Sequence, residues 1–387
     1  MKKKLLIVND SLICGGAEKS LVSLLPLLNQ EKYEIHLWML HRGMVFESLL
    51  SENILVEDEP SYRTWEYLFF RLSHIVYSLL FRINQLLGIK EHTAETLWKC
   101  VGKAYKVPKE TFDVAIAYQQ GVPTYIVSTK INAQKKIAWI NADIFAAGYD
   151  ISYNATFYDQ YDALVPVSKN LETVLREKYP QYSEKYHCVY DILNPDLIRR
   201  QSQMPVDDFI FSHQYPLIVT TGRLAIAKNH RLAVEAAKKL QERGIDFVWL
   251  FVGDGEERSN IESLIKIYCL QKHVILIGER TNPYPYMAQC DVYVQTSSFE
   301  GYGLTIAEAK ILGKPVISTN FDVVHDQIKH GHDGLIAEMT PESVADNIIM
   351  MLTDTSLRDR IVKNVEKEEN LTYYTEVQKV ERIIDDN

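Results

Sequence analysis

Two glutamates separated by seven residues, Glu300 and Glu308, bracket the run Gly301-Tyr302-Gly303-Leu304-Thr305. The apolar stretch Asp291–Gln295 leads in, and good helix formers from Leu304 to Leu312 lead out, closed by Gly313. Strand, glycine-bearing loop and helix start together aim backbone N–H groups and a helix dipole at an anion. Carboxylates beside such a cradle are acceptors for hydroxyl groups, as on a ribose or a hexose. Taken alone they also read as a helix cap and a solvated side chain. Arg223 and Lys228 follow the apolar run Leu217–Thr221 and its Gly222, and Arg280 follows Val274–Gly278. Two cations beside a helix N-terminus suit a diphosphate; the alternative is a solvated loop pair. Near the N-terminus, Gly15-Gly16 comes after Leu5–Val8 and before a helix, and reads either as a turn or as backbone that lets a ligand come close. Its spacing is not G-x-G-x-x-G, which argues against a dinucleotide dehydrogenase.

These residues sit on a regular alternation of strands and helices. Short apolar runs start at Leu5, Tyr33, Phe112, Lys135, Ala163, Leu217, Phe247, Val274, Asp291 and Pro315, with helical segments among them. Such alternation, twice over in 387 residues, predicts an α/β protein of two doubly wound parallel-sheet domains facing a central cleft. The expected boundaries are 1–200, 201–372 with the polar stretch from Gln201 as connection, and a terminal helical segment 373–387 that packs back on the first domain. Ser168 is placed to cap the helix after Ala163–Val167. An apolar content of 47% with 24% charged residues is globular. The net charge of −9 argues against a nucleic-acid binder driven by phosphate neutralisation. The first 200 residues are charge-balanced, so the acidic excess belongs to the second half and the first is better suited to an anionic surface.

From Trp65 to Leu87 apolar residues recur at helical spacing, with Arg71, His74, Ser78, Arg82 and Gln85 opposite them. One reading is a helical excursion, within about 65–105, packed on its own domain. The other is a helix lying on a membrane surface, with Arg71, Arg82, Lys90, Lys99 and Lys103 at hand. Five cysteines without C-x-x-C spacing, Cys14 among them, argue against a zinc site or disulfide framework and fit a reducing compartment. The apolar run after Lys2-Lys3-Lys4 stops at Asn9-Asp10, too short for a signal peptide, and no run is long enough to span a bilayer. The expectation is a cytoplasmic protein, at most peripheral on the inner face of a membrane.

The chain resembles the family-4 retaining glycosyltransferases of the GT-B fold over nearly its full length. The match is carried by Glu300-Gly301-Tyr302-Gly303-Leu304 with Glu308, by Thr221-Gly222-Arg223-Leu224 with Lys228, and by Gly15-Gly16-Ala17-Glu18. Asn282-Pro283-Tyr284 and Asp291 also fit. The resemblance implies that Glu300 contacts donor-sugar hydroxyls and Glu308 the ribose hydroxyls. It assigns Arg223 and Lys228 to the departing diphosphate, Gly301 to Thr305 to its backbone cradle, and Arg280 to the wall against the base. Gly16 is expected to approach from the first domain. The implied reaction moves a hexose or N-acetylhexosamine from a UDP-sugar to a hydroxyl of a glycan or lipid-linked glycan, in synthesis of a surface polysaccharide, capsule, lipopolysaccharide or other glycolipid. Fixed cations and amide dipoles meet the leaving-group charge, so no metal or other cofactor is expected. Where relatives commonly carry a histidine this chain has Asn141, which hydrogen-bonds but does not titrate near neutrality; Asp143 is a nearby substitute. The alternatives are a sugar-nucleotide epimerase or phosphorylase of the same fold, and a donor-binding partner subunit whose catalysis has lapsed.

Overall fold

The structure is a computed structural model that describes residues 2–13, 15–58, 62–88, 91–145, 147–211 and 214–386, with backbone only for 368–373. Cys14 and Lys90 lie outside the described residues. The chain divides into two compact units, Met1–Ile192 with Glu376–Asn387, and Leu193–Thr375.

The strands of the first unit are β1 (Lys3–Asn9), β2 (Tyr33–Met39), β3 (Leu55–Val56), β4 (Thr111–Ala117), β5 (Asn132–Ile140) and β6 (Ala163–Pro166). Its helices are α1 (Gly16–Leu24), α2 (Thr64–Leu87), α3 (Thr93–Val101), α4 (Val122–Lys130), α5 (Ile151–Tyr158) and α6 (Lys169–Lys178). The strands pair in parallel in the order β3-β2-β1-β4-β5-β6. Leu5, Leu6, Ile7 and Val8 are all fully buried, as a central parallel strand covered on both faces requires. Ser168 caps α6, accepting the Leu171 N–H at 3.2 Å.

The second unit opens with α7 (Pro195–Ser202), then β7 (Leu217–Thr221), α8 (His230–Glu242), β8 (Val248–Val252), α9 (Arg258–Ile267) and β9 (Val274–Gly278). It continues with α10 (Tyr284–Gln289), β10 (Val292–Gln295), α11 (Leu304–Ile311), β11 (Val316–Thr319), α12 (Val324–Gln327), β12 (Leu335–Ala337) and α13 (Pro341–Thr353). Its sheet runs β12-β11-β10-β7-β8-β9, the same winding as the first. In each unit the order reverses beside the first strand, between β1 and β4 and between β7 and β10. That is where open α/β sheets leave a crevice at strand C-termini.

Four features differ from the sequence expectation. The first unit ends at Ile192 rather than at residue 200, because α7 packs on α10 and α11. Asn194 accepts the Leu197 N–H with Pro195 at the first helical position, which starts α7. The strands β3 and β12, two and three residues long, are too short to show a period. The last helix, α14 (Thr355–Asp385), begins well before residue 373. Its early residues Leu357, Ile361 and Val365 are buried in the second unit's core, and Val377, Val380 and Ile384 in that of the first.

The fourth difference is the orientation of α2. It is one helix of 24 residues, as its periodicity demands, closed by Gly88. It packs on α3, with Phe70, Ser73, His74, Tyr77 and Asn84 turned inward, while its apolar arc, including Leu72, Ile75 and Leu79, is exposed. The excursion does not bury its apolar face in its own unit.

Candidate active site

In the second unit the loops after β7 and β10 flank the crevice where the strand order reverses. After Gly222 the chain passes Arg223 and turns at Ile226–Lys228 before α8. The loops are laced together: Ala227 O accepts Ser298 N–H at 2.8 Å, and the Thr296 hydroxyl donates to Asn229 O at 3.1 Å. This lacing fixes Lys228 against Glu300. The ammonium donates to both carboxylate oxygens, at 2.6 and 2.7 Å, and the Glu300 side chain is only 10% exposed. Gln295 Nε2 and the Ser297 hydroxyl also donate to Glu300 Oε1, at 2.7 and 2.6 Å. Thr305, in the first turn of α11, donates to Gln295 Oε1 at 2.6 Å. Glu300 is therefore not a cap: no side chain caps α11, whose N-cap is Gly303. Gly301 is exposed, while Tyr302 and Leu304 are half-buried beside it.

Glu308 lies one turn into α11, fully buried, and accepts the Tyr284 hydroxyl at 2.9 Å. It is not a solvated helix residue. Asn282 Oδ1 accepts the Tyr284 N–H at the start of α10, which aims Tyr284 at Glu308. Beside Lys228, His230 opens α8 with its ring against Phe251 and neither nitrogen bonded among the described residues. Burial, and secondarily the Lys228 charge, push its pKa down to about 4.

The structure does not bring every expected residue to this cluster. Arg223 is on the same loop as Lys228 but points outward, 72% exposed, with Glu256 at 3.8 Å. Arg280 spends its guanidinium on Asp208 and on the Tyr286 hydroxyl. Asp291 accepts the Leu217 N–H at the opposite ends of the strands and is structural. The Gly253-Asp254-Gly255 turn matters more than its composition suggests. A Cβ on Gly253 would stand 1.9 Å from Gly222 O, and one on Gly255 2.5 Å from Leu224 O. Leu224 N–H donates to Asp254 O at 2.9 Å, so this turn sets the course of the Gly222–Arg223 segment.

In the first unit Gly15 is the N-cap of α1 and Gly16 its first residue. The Glu18 carboxylate folds back over them: a Cβ on Gly15 would lie 2.1 Å from Glu18 Oε2. Gln119 donates to Glu18 Oε1 at 2.7 Å, and burial raises the Glu18 pKa. Asn141 donates from Nδ2 to Tyr118 O at 2.6 Å and from its N–H to Gln120 Oε1 at 3.1 Å. Its Oδ1 is buried with no partner among the described residues. It lines a crevice of about 380 Å³ at the β1–β4 reversal, with Asp10, Gln119 and Gln120. Asp143 is used locally, accepting the Phe145 N–H at 2.8 Å.

Sequence reasoning gave no role to Gln295 or Ser297, and took Tyr284 only as part of the Asn282-Pro283-Tyr284 match. Gln295 had a signal: it is the polar end of a buried strand, at the edge where ligands bind. Ser297 had none, because its bond to Glu300 is set by loop shape, and nothing in the sequence pairs Tyr284 with Glu308, 24 residues on.

Comparison with known proteins places these features. Residues 207–368 match the family model described as Glycosyl transferases group 1. The chain is 25% identical over 360 residues to the N-acetylgalactosamine-N,N'-diacetylbacillosaminyl-diphospho-undecaprenol 4-alpha-N-acetylgalactosaminyltransferase of Campylobacter jejuni, covering 92% of each. It is 32% identical over 149 residues to the lipopolysaccharide core biosynthesis glycosyltransferase LpsE of Rhizobium meliloti, covering 38% of this chain and 43% of that one. Among solved structures, Anabaena Alr3699/HepE in complex with UDP and glucose superposes over the whole of both chains with a TM-score of 0.71 at 16% identity, a likeness of fold. The acid–cation cluster at the second sheet's reversal point lies within the segment that matches the group 1 glycosyltransferases, and the two doubly wound units have the GT-B fold.

Proposed function

We propose that the protein is a retaining, metal-independent glycosyltransferase that moves a hexose or N-acetylhexosamine from a UDP-sugar to a hydroxyl of a glycan or lipid-linked glycan. The observation that carries this reading is the Lys228–Glu300 pair beside the uncapped start of α11. A diphosphate arriving there competes with Glu300 for Lys228, and the displaced carboxylate turns to sugar hydroxyls. Lys228 and the α11 amides stabilise charge developing on the leaving phosphate, with Arg223 reaching in from the exposed loop. Glu308, held by Tyr284, takes the ribose hydroxyls at the far end. In the first unit Gly15, Gly16 and Asn141 are the candidates for donor or acceptor contact, and in the second Arg280 acts on the base only after leaving Asp208. The leaving phosphate supplies the base, so Asn141 orients rather than titrates. The Campylobacter relative, named for a diphospho-undecaprenol acceptor, supports a lipid-linked glycan and hence action at the cytoplasmic face of a membrane.

A thermal-shift screen of nucleotide sugars tests this. A UDP-sugar should raise Tm, and Glu308→Ala should remove the shift. If no nucleotide sugar stabilises the protein, the donor reading fails.

A further inference from the structure

The helix α2 presents to solvent the face that its sequence marks for burial. Its inner face is mixed: Glu66, Phe70, His74 and Tyr77 turn toward the domain, and Glu66 pairs there with Lys106. Its outer face is an unbroken apolar arc along roughly 36 Å of helix. Trp65 is 65% exposed, Leu72 51%, Leu79 55% and Leu86 86%. Exposed Arg71 and Arg82 follow one edge of this arc, three helical turns apart. Among the described residues neither is in an ion pair, and no exposed carboxylate lies on the helix.

We infer that this face of α2 docks on an anionic bilayer surface, the helix lying in the interface with its apolar arc below the headgroups. Charge decides the occupant. A second copy of α2 offers Arg71 and Arg82 two more arginines and no exposed carboxylate, whereas acidic headgroups supply the missing counter-charge along the edge of the arc. Trp65 and Tyr67 sit at one end of the helix, the residue types that settle at headgroup depth. The helix is not a span: no helix among the described residues is long and apolar enough to cross a membrane. Tyr77, on the inner face, lines the Asn141 crevice. Docking therefore brings that crevice within about one helix diameter, ~10 Å, of the headgroups. That consequence for a lipid-anchored acceptor rests on the sugar-transfer reading; the docking does not.

The test is co-sedimentation of the full chain with phosphatidylcholine vesicles, with and without phosphatidylglycerol, at low and high salt. The wild type should pellet with the anionic vesicles and be partly released by salt. Leu72→Glu with Leu79→Glu, both at exposed positions, should weaken vesicle binding by about tenfold or more, and Arg71→Glu with Arg82→Glu should abolish the preference for phosphatidylglycerol. Wild-type protein that stays in the supernatant with both vesicles overturns the inference. So does light scattering that shows a dimer dissolved by Leu72→Glu with Leu79→Glu, which gives the face to a second copy. The UDP-sugar thermal shift, read on the same samples, reports separately: its absence defeats the donor reading and leaves vesicle binding unaffected.

Discussion

At the scale of single residues, the site is a set of mutually satisfied charges whose removal one at a time is costly. Glu300→Gln leaves the Lys228 ammonium without its carboxylate in a cluster mostly closed to water. The variant should lose about 1–3 kcal/mol in denaturant unfolding, and sugar transfer should fall about 10²–10³-fold if the cluster meets leaving-group charge. Lys228→Ala should lower kcat comparably; an unchanged kcat would remove it from the reaction. A second residue-scale prediction concerns Asp191, just before the end of the first unit. Burial, with the nearby Glu18 carboxyl adding to it, pushes its pKa up to about 7 despite a hydrogen bond from Ser20. A carboxyl raised above its unfolded pKa of about 3.9 stabilises the fold fully below pH ~4 and loses that contribution as pH rises through about 7. The native chain should therefore lose on the order of 4 kcal/mol from this group between pH 4 and pH 8. Asp191→Asn should be the more stable protein at pH 8 and show a flatter Tm profile; parallel profiles would refute the assignment.

At the scale of elements, the proposed donor side depends on loops that touch through backbone. The turn after β8 presses Gly253 onto Gly222 O, so Gly253→Ala must push the β7 loop away. A cost of roughly 1–3 kcal/mol is expected, together with a weaker UDP-sugar thermal shift, whereas Gly244→Ala, where an added Cβ meets nothing within 4 Å, should cost only the strain of its positive φ and leave the shift intact. The element scale also shows how far periodicity reaches. The apolar period over 65–87 specifies a helix of nearly those bounds. It does not specify which face is buried, because burial depends on what neighbouring elements offer, here Tyr62, Tyr105 and α3.

At the scale of the whole molecule, the end of the chain completes its beginning. Lys3, Lys32 and Tyr33 all bond to Asp385, and Glu376 accepts the Tyr190 N–H at 2.9 Å. With Val377, Val380 and Ile384 buried against the first unit, deletion from residue 376 onward should destabilise that unit. Limited proteolysis should then cut within residues 1–192 first, while the second unit keeps the proposed UDP-sugar binding. Equal resistance of the full and shortened chains would show that α14 contributes little there.

The sequence by itself determined the two doubly wound units, the strand that precedes each candidate loop, and the Glu300–Glu308 spacing across a helix start. These follow from local periodicity and the backbone needs of a strand–loop–helix turn, which act between residues near in sequence. Tertiary structure decided that Lys228 meets Glu300 and Arg223 does not, that Tyr284 reaches Glu308, and that Arg280 serves Asp208. Those pairings join loops 24 to 72 residues apart, and their geometry is set by how the strands are ordered. It also turned the apolar arc of α2 to the outside, because a helix period fixes the existence of a face and only packing fixes what that face meets.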